Sequence, residues 1–404
     1  MLNKLYKPKN ILLVILLLSA FLRLHRLDYP KNYVFDEVYH AYTAKEYLKG
    51  NKDAWSPWGK ATEVGTAFEW LHPPVAKEIM TFSMLILHTN DAWSWRLPGV
   101  IFGVLSIYLV YILALLLFKN QITALLSAFI FSLDGLVFVQ SRTGMNDVYL
   151  VAFILFSIIS FVRKKYLFSA LLLGISTATK WPGVFLYFMF IPILFANRQF
   201  KEIIYFLLLP PIIYLLSYTH YFLIGYRLDD FIELHRQIWW YQTNLKATHT
   251  YSSPWWSWPL NFYPIWYFVD YQKNMVANIF ASGNPAVFWI GTASIILTVW
   301  EFVKKRSKNL LIIVLGFLVF WLPWAISPRI MFLYHFSPSV PFLCLSLGYQ
   351  LNVLINEGKR KTVLVIIGLI ILTFILIFPF LTGIPLPKNL VNLFFLTNLS
   401  KNPF

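Results

Sequence analysis

The sequence predicts an all-α integral membrane protein, a multi-pass bundle of about eleven transmembrane helices with two long extracytoplasmic loops. Hydrophobic residues make up 58% of the 404 residues and charged residues only 13%, whereas soluble domains carry about 45–50% and about 25%. So few polar residues cannot cover a soluble core of this size, and the lipid bilayer is therefore the expected solvent. The single cysteine, Cys344, excludes an intramolecular disulfide framework and a cysteine-cluster metal site.

Eleven apolar segments are candidates for membrane crossing, since a crossing helix needs about 20 mostly apolar residues. They cover residues 11–27, 93–118, 121–140, 146–162, 166–180, 182–197, 202–224, 284–303, 309–326, 330–355 and 362–382. The fifth and sixth segments are short, and we interpret them as a hairpin with its tip at residues 180–183.

Basic clusters alternate with the apolar runs, which predicts a cytoplasmic N-terminus and, after eleven spans, an outer C-terminus. The clusters expected in the cytoplasm lie at residues 4–9, 119, 163–165, 198–201, 304–308 and 359–361. The net charge of +16 is therefore interpreted as a topology signal and not as a nucleic-acid-binding surface. A cleaved signal peptide is the alternative for residues 1–30, but no small-residue cleavage site follows the apolar run.

Two long outer loops, residues 28–92 and 225–283, are where rigid spans can present polar chemistry. The sequence shows no internal repeat and no low-complexity linker. We divide the chain into an N-terminal membrane module (1–225) that includes the first loop and the candidate catalytic residues, an aromatic-rich outer loop (226–283) and a C-terminal four-helix membrane module (284–404).

The first outer loop carries two adjacent carboxylates, Asp36 and Glu37, in the string VFDEV. Charged groups beside an apolar face are costly, so a polar partner is expected, which favours a general base or a metal ligand. A helix start is the alternative, because acidic residues suit the positive end of a helix dipole. Spacing alone does not separate the two interpretations.

Further along the first loop, the string HPP ends at Pro74, and two prolines favour the opening of a helix along the membrane surface. His72 and Lys77 would then face the site. The ordinary alternative is a lone histidine and a lysine that extends its charge to the interface.

Seven charged residues stand at the ends of predicted spans, where a charge costs free energy even close to the interface. They are Arg23, Arg96, Asp134, Arg142, Asp147, Lys180 and Arg329. Basic residues outnumber acidic ones in this set, which favours a polar cavity at the outer boundary for an anionic ligand such as a phosphate. Pairing for topology alone explains any single one of them, but explains the whole set poorly.

The second outer loop is rich in tryptophan, at positions 239, 240, 255, 256 and 258. An interfacial belt is the default interpretation, and stacking on sugars or peptides is the alternative. No Gly-x-Gly pair occurs, so nucleotide binding is not indicated, and no HExxH zinc motif is present. Gly99 and Gly103 form a GxxxG pair that indicates close helix packing.

Taken together, these segments resemble the dolichyl-phosphate-mannose protein mannosyltransferases, a family of membrane-embedded GT-C glycosyltransferases. The matching strings are VFDEV (34–38), HPP with Lys77, LDGLVFVQSR (133–142) with Asp147 following, TKWPG (179–183), SSPWWSWPL (252–260) and RIMFLYH (329–335). They occur in order over residues 20–350. The chain departs from the family's usual HPPLGK at Val75 and Ala76, and His40 lies one place beyond the usual histidine, which bears on acceptor or lipid preference more than on the reaction.

The resemblance implies a GT-C fold and inverting transfer of mannose from polyprenyl-phosphate-mannose to Ser or Thr hydroxyls of a translocated protein, with no metal and no cofactor. By motif position it implies that Asp36 is the catalytic acidic residue, with Glu37 beside it. The implied donor-phosphate-binding residues are Arg23, Arg96, Arg142 and Lys180. Further site candidates are His72, Lys77, Asp147 and Arg329.

The chemistry of such a reaction fits these residue types. A lipid phosphate leaves as an anion that cations stabilise, and one carboxylate takes the hydroxyl proton. We expect Asp36 to be this base and Glu37 to support it, because adjacent side chains point about 100° or 180° apart. Trp255 and Trp256 are expected to help form the acceptor face.

The second outer loop is too short for the sugar-binding-like insert of eukaryotic members, which favours a bacterial plasma-membrane enzyme with an extracytoplasmic site. The family also implies that two copies can pair. A related GT-C enzyme that glycosylates a lipid or glycan is the closest alternative. A transporter is more distant, because the sequence shows neither repeat symmetry nor ionisable residues at the bilayer midplane.

Overall fold

The computed structural model describes residues 7–395, most of which are helical. The N-terminal half contains α1 (Pro8–Leu24), α2 (His40–Leu48), α3 (Val75–Leu87), α4 (Ala92–Phe118), α5 (Gln121–Ser132), α6 (Gly135–Gln140), α7 (Asp147–Val162), α8 (Tyr166–Thr179), α9 (Leu186–Ala196) and α10 (Phe200–Ser217). The second half contains α11 (Thr219–Leu223), α12 (Leu228–Asn244), α13 (Pro285–Lys305), α14 (Lys308–Trp321), α15 (Val340–Asn356), α16 (Arg360–Thr382) and α17 (Lys388–Phe395).

Each of the eleven predicted spans contains a helix. Six helical segments are long and apolar enough to cross a membrane: Ala92–Phe118, Phe200–Ser217, Pro285–Lys305, Lys308–Ile326, Leu333–Asn356 and Arg360–Thr382. Shorter apolar helices cover Gln121–Ser132, Asp147–Val162, Tyr166–Thr179 and Trp181–Ala196. The predicted multi-pass helical class is therefore confirmed, whereas the count of eleven crossings and their orientation stay predictions.

Two breaks in the apolar segments have identifiable causes, one within the predicted span 121–140 and one between the predicted spans 166–180 and 182–197. The span 121–140 breaks at Asp134, whose Oδ1 accepts from the backbone N–H of Val137 (2.9 Å) and caps α6. The apolar stretch 163–201 breaks at Lys180, after which a 3₁₀ turn (Trp181–Phe185) contains Pro182. The turn lies where the sequence predicts the hairpin tip.

The chain also contains a small antiparallel sheet that the sequence analysis does not predict. Its strands are β1 (Ile265–Tyr271), β2 (Met275–Ala281) and β3 (Leu386–Pro387), in the order β1-β2-β3. Trp266 pairs with Phe280 and Phe268 with Ile279, so the intervening Tyr267 has no cross-strand partner and forms a bulge. Bulges re-aim side chains and are common beside active sites.

The GxxxG pair lies at a close contact between α4 and the segment that follows α6. A Cβ atom on Gly103 would lie 2.5 Å from the Cβ of Ser141, and one on Gly99 would lie 3.0 Å from the Ser141 carbonyl oxygen. Contacts shorter than ordinary van der Waals distance exclude larger side chains here. The close packing places α4 against the segment that carries Ser141 and Arg142.

Candidate active site

Asp36 lies in a short 3₁₀ turn (Phe35–Val38) at the start of the first outer loop. Its side chain is half-buried, and its carboxylate has no hydrogen-bond or ion-pair partner within residues 7–395. Burial raises the pKa of Asp36 to about 7, and the nearby Glu69 carboxylate acts in the same direction, whereas Lys180 and Arg329 oppose it. A carboxylate with a pKa near the working pH is suited to take up a proton as a general base.

Glu37 has the opposite environment, because its carboxylate is fully buried and hydrogen-bonded. Its Oε1 accepts from Arg96 Nε (2.7 Å), Trp95 Nε1 (3.1 Å) and the Gly144 N–H (2.9 Å). Its Oε2 accepts from Arg96 Nη2 (2.6 Å) and the Val34 N–H (2.8 Å). All of these hydrogen-bond donors to the Glu37 carboxylate are protein groups. Glu37 is therefore suited to a supporting role, in which it anchors the turn that carries Asp36.

Phe35 holds the same turn from the other side. Its φ is +48°, a left-handed conformation that is a true outlier for a bulky residue. The Phe35 ring stacks on Tyr267 with centroids 4.3 Å apart, and meets the edge of Tyr334 at 6.2 Å. The first outer loop, the β1 bulge and the C-terminal half therefore meet beside Asp36.

Lys180 and Asp147 form a buried ion pair close to Asp36. The Lys180 Nζ donates to both carboxylate oxygens of Asp147 at 2.9 Å, and lies 5.1 Å from the Tyr334 ring centroid. Asp147 begins α7 and Lys180 follows α8, so two membrane helices present the pair at one end. Asp147 fixes the position of the lysine ammonium.

Arg329 is the second cation that acts on Asp36, from a segment between α14 and α15. Its Nη1 donates to the side-chain oxygen of Gln242 in α12. Its Nε is buried and has no hydrogen-bond partner within the described chain. A guanidinium with an unused donor beside an unpaired carboxylate is available for an anionic substrate group.

Arg96, predicted to bind the donor phosphate, is occupied by protein groups in this structure. Besides Glu37, it donates to the carbonyl oxygens of Leu27 (3.1 Å), Pro30 (2.8 Å) and Asn32 (3.1 Å). A phosphate contact would have to replace some of these bonds. The phosphate role of Arg96 stays a prediction, and the geometry favours a structural role in which it holds the first loop to α4.

Arg142 and Arg23 are likewise engaged within the bundle. Arg142 donates to the carbonyl oxygens of Leu22 (3.0 Å) and Arg23 (2.7 Å), which lie at the end of α1 where carbonyls lack helical partners. Arg23 donates from Nε to Ser141 Oγ (2.9 Å), and its guanidinium lies 4.7 Å from the centroid of Phe138. Both arginines tie α1 to the segment after α6, and their phosphate roles stay predictions.

His72 and Lys77 lie on the first-loop side of the site. Lys77 is fully buried and its Nζ donates to the carbonyl oxygens of Glu69 and His72, both at 2.7 Å. The rings of His72 and His40 stack with centroids 6.0 Å apart. Burial, together with the Lys180 charge and other nearby cations, lowers the pKa of His72 and keeps the ring neutral. Lys77 thus stabilises the turn, and His72 lies near enough to Lys180 and Arg329 for both charges to act on it.

Trp255 and Trp256 lie in a 3₁₀ turn (Trp255–Leu260) that packs on the C-terminal half. The Trp321 indole N–H donates to the Trp255 carbonyl oxygen (2.8 Å), and the two rings lie 5.2 Å apart. Trp256 leaves 51% of its surface exposed. Trp255 therefore packs against the C-terminal half of the protein. The acceptor role of both tryptophans stays a prediction.

Sequence reasoning missed three residues that surround Asp36: Glu69, Tyr267 and Tyr334. Tyr334 stands in the string RIMFLYH, but the string alone does not indicate a role for it. Tyr267 carries no local signal, because its bulge arises only from the pairing of β1 with β2. Among the described residues, no cluster of three or more His, Cys, Asp or Glu side chains is arranged to hold a metal.

Comparison with known proteins identifies the family. Residues 13–228 match the model of dolichyl-phosphate-mannose-protein mannosyltransferases, and residues 227–398 match the C-terminal four TMM region of protein-O-mannosyltransferase. The chain belongs to the dolichyl-phosphate-mannose-protein mannosyltransferase family. Its relatives include polyprenol-phosphate-mannose--protein mannosyltransferases of Mycobacterium tuberculosis (24% identical, covering 93% of this chain and 88% of the relative) and Mycolicibacterium smegmatis (24% identical, covering 94% and 90%).

Solved structures share the fold of this family member. The Saccharomyces cerevisiae protein O-mannosyltransferase Pmt1-Pmt2 complex bound to the sugar donor matches with a TM-score of 0.81 at 16% identity, covering 95% of this chain and 91% of that chain. ArnT from Cupriavidus metallidurans in the apo state matches with a TM-score of 0.60 at 15% identity, covering 86% and 61%. The predicted family and GT-C architecture are therefore confirmed.

Proposed function

We propose that this family member is an inverting glycosyltransferase that moves mannose from a polyprenyl-phosphate-mannose donor to Ser or Thr hydroxyls of proteins at the extracytoplasmic membrane face. The observation that carries the proposal is one unbonded carboxylate, Asp36, that lies near enough to Lys180 and Arg329 for both positive charges to act on it. The names of the mycobacterial relatives support the donor and the acceptor class.

In the proposed step, Asp36 takes the proton of the acceptor hydroxyl as its oxygen attacks the anomeric carbon of mannose. The bond between that carbon and the phosphate oxygen breaks, and its electron pair leaves with the lipid phosphate. Attack on the face opposite the phosphate inverts the anomeric centre in one displacement. Asp36 ends the step protonated and returns the proton to water afterwards.

The leaving phosphate needs positive charge, and Lys180 and Arg329 are the cations assigned to it. Preorganised donors aimed at developing charge cost no reorganisation during the reaction. Asp147 holds the Lys180 ammonium in place. Arg329 has its Nε donor free of protein partners within residues 7–395, so it gains a bond when the phosphate is present.

The experiment that tests the function follows label from the donor. Membranes that contain the full-length chain are supplied with polyprenyl-phosphate mannose labelled in the sugar. Label that enters protein and is released by alkaline β-elimination supports transfer to Ser or Thr. Label that enters only solvent-extractable lipid or free glycan would contradict the proposal, and the Asp36→Asn variant is the matched inactive control.

Association with a second copy is a further part of the proposal. The solved yeast relative is a Pmt1-Pmt2 complex, and the same mode of pairing would give this chain a two-subunit assembly. Light scattering of the detergent-purified protein is expected to give twice the mass of one chain after subtraction of the micelle. A single-chain mass across the working concentration range would contradict the assembly.

A further inference from the structure

A groove between three membrane helices lies at the far end of α7 from the site. Asp147, the partner of Lys180, begins α7, and the groove lies where this 16-residue helix ends. At about 1.5 Å per residue, the helix is about 24 Å long, which is the distance between the end that carries Asp147 and the end at the groove. The groove has a volume of about 290 Å³ and belongs to no part of the reaction proposed above.

The walls of the groove are apolar, and two basic side chains also line it. Side chains of α4, α7 and α8 form the walls: Leu109, Ile112, Phe156, Ile159, Phe168 and Leu172. Arg163 and Lys165 line the groove at the turn between α7 and α8, and Ser160 and Tyr108 complete its lining. Both cationic side chains are exposed, and neither has an ion-pair partner within residues 7–395. The groove therefore combines a surface for hydrocarbon with a site for negative charge.

The turn that carries these cations has a defined shape. The backbone N–H of Lys164 donates to the Phe161 carbonyl oxygen (2.8 Å), and that of Lys165 donates to the Ser160 carbonyl oxygen (2.8 Å). Lys164 has a left-handed φ of +58°, which closes the turn between the two helices. The first turn of α8 contains no acidic residue and no side-chain cap, so its free N–H groups add positive potential at this turn.

We propose that this groove binds one anionic phospholipid, with the headgroup phosphate between Arg163 and Lys165 and an acyl chain along the apolar walls. Basic pockets between membrane helices are the usual sites for anionic headgroups. Charge complementarity favours an anionic lipid over a zwitterionic one, because the two cations have no carboxylate to neutralise them. The bound lipid would join α4 to the α7–α8 turn.

The test uses native mass spectrometry of the full-length protein with phosphatidylglycerol or phosphatidylcholine as the probe. The wild type is expected to retain one phosphatidylglycerol more tightly than phosphatidylcholine. Each cation strengthens such binding by roughly fivefold, so the Arg163→Gln/Lys165→Gln double variant should bind phosphatidylglycerol about thirtyfold more weakly. The matched control is Arg360→Gln/Lys361→Gln, which removes two basic residues outside the groove and should leave retention unchanged.

A second variant tests the contribution of the apolar walls separately from that of the two cations. Leu172→Trp fills the apolar wall and leaves both cations in place, and it should also lose the retained lipid. Equal retention of phosphatidylglycerol by wild type and the Arg163→Gln/Lys165→Gln variant would overturn the proposal, as would equal retention of the two lipids by the wild type. Displacement of phosphatidylglycerol by an equimolar polyprenyl phosphate would also overturn it, and would assign the groove to that lipid.

Discussion

The rings of Phe35 and Tyr267 lie parallel, with centroids 4.3 Å apart and planes 7° apart. Tyr267 reaches this position because it is the bulged residue of β1. Phe35 keeps a left-handed φ, which costs on the order of 1–3 kcal/mol and persists only where surrounding contacts maintain it. The stack supports this conformation next to Asp36, together with the Tyr334 edge contact and the hydrogen bonds of Glu37.

Tyr267→Ala is therefore expected to lower kcat for mannosyl transfer, because Phe35 can relax and displace Asp36. A displacement of about 1 Å can cost about a hundredfold in rate. The measurement is kcat and acceptor KM at saturating donor. Tyr267→Phe keeps the ring and should retain most of the rate. Wild-type kcat in Tyr267→Ala would show that the stack does not position the base.

Asp36→Asn is expected to lower transfer by about 10² to 10⁴-fold, the usual contribution of a general base. It preserves shape and should leave donor binding close to wild type, since the carboxylate has no partner within residues 7–395. Thermal stability should not fall, because the variant removes a charge whose burial destabilises the fold. Initial rates and donor affinity, measured on equal amounts of membrane-inserted protein, test this. If Asp36→Asn turns over normally while Glu37→Gln is inactive but stable, the roles of the two carboxylates are reversed.

Glu37→Ala is expected to lower the thermal stability of the protein, because Glu37 forms a buried ion pair with Arg96. Removal of one partner of a buried ion pair costs about 3–5 kcal/mol because the other charge remains buried, and here Arg96 would be left at 1% exposure. We expect a large fall in the thermal midpoint in detergent. The control is Glu233→Ala, which removes one partner of the exposed pair with Arg236 (3.0 Å). Similar midpoints for the two variants would contradict the assignment.

The pH dependence of transfer should report Asp36, whose pKa is raised to about 7. The base works in its ionised form, so kcat/KM should rise as pH increases through about 7 and level off above it. Because Glu69 raises the pKa of Asp36, Glu69→Gln should move this rise to lower pH. Linkage gives folding stability the opposite trend, because ionised Asp36 destabilises the fold. The free energy of unfolding should therefore fall as pH rises from about 4 to about 7. An unmoved profile in Glu69→Gln would exclude the assignment.

Arg329→Gln is expected to reduce transfer by about a hundredfold, which corresponds to about 3 kcal/mol for one preorganised donor. The side chain is half-buried, so the variant should fold, and the effect should appear in kcat. Arg236→Gln is the matched control, because Arg236 is an exposed arginine on α12 whose partner is Glu233. Unchanged kcat in Arg329→Gln would show that Arg329 does not stabilise the leaving phosphate. That role would then belong to Lys180 and the buried arginines.

Membrane-spanning elements are predictable from the sequence because hydrocarbon demands long apolar runs, and each predicted run contains a helix. The turn that carries Asp36 and Glu37 lies in the string VFDEV, and Lys180 lies in the string TKWPG, so both are recognisable from the sequence. The partners of these residues are not predictable. Glu37 finds Arg96 59 positions away, and the charge of Asp134 serves a helix cap. Such contacts depend on tertiary packing, and they cannot be predicted from the residues next to them in the sequence.

The Phe35–Tyr267 stack has a consequence for any attempt to divide or recombine this protein. The carboxylate proposed to take the proton, Asp36, lies within residues 1–225, but the Tyr267 ring that stacks on its turn lies on β1 in the second outer loop. A chimera that joins these two parts from different relatives would take Asp36 and Phe35 from one protein and the residue at position 267 from the other. The two parts would not have evolved together. Activity in such chimeras should depend on a flat ring at position 267 more than on the match between membrane helices.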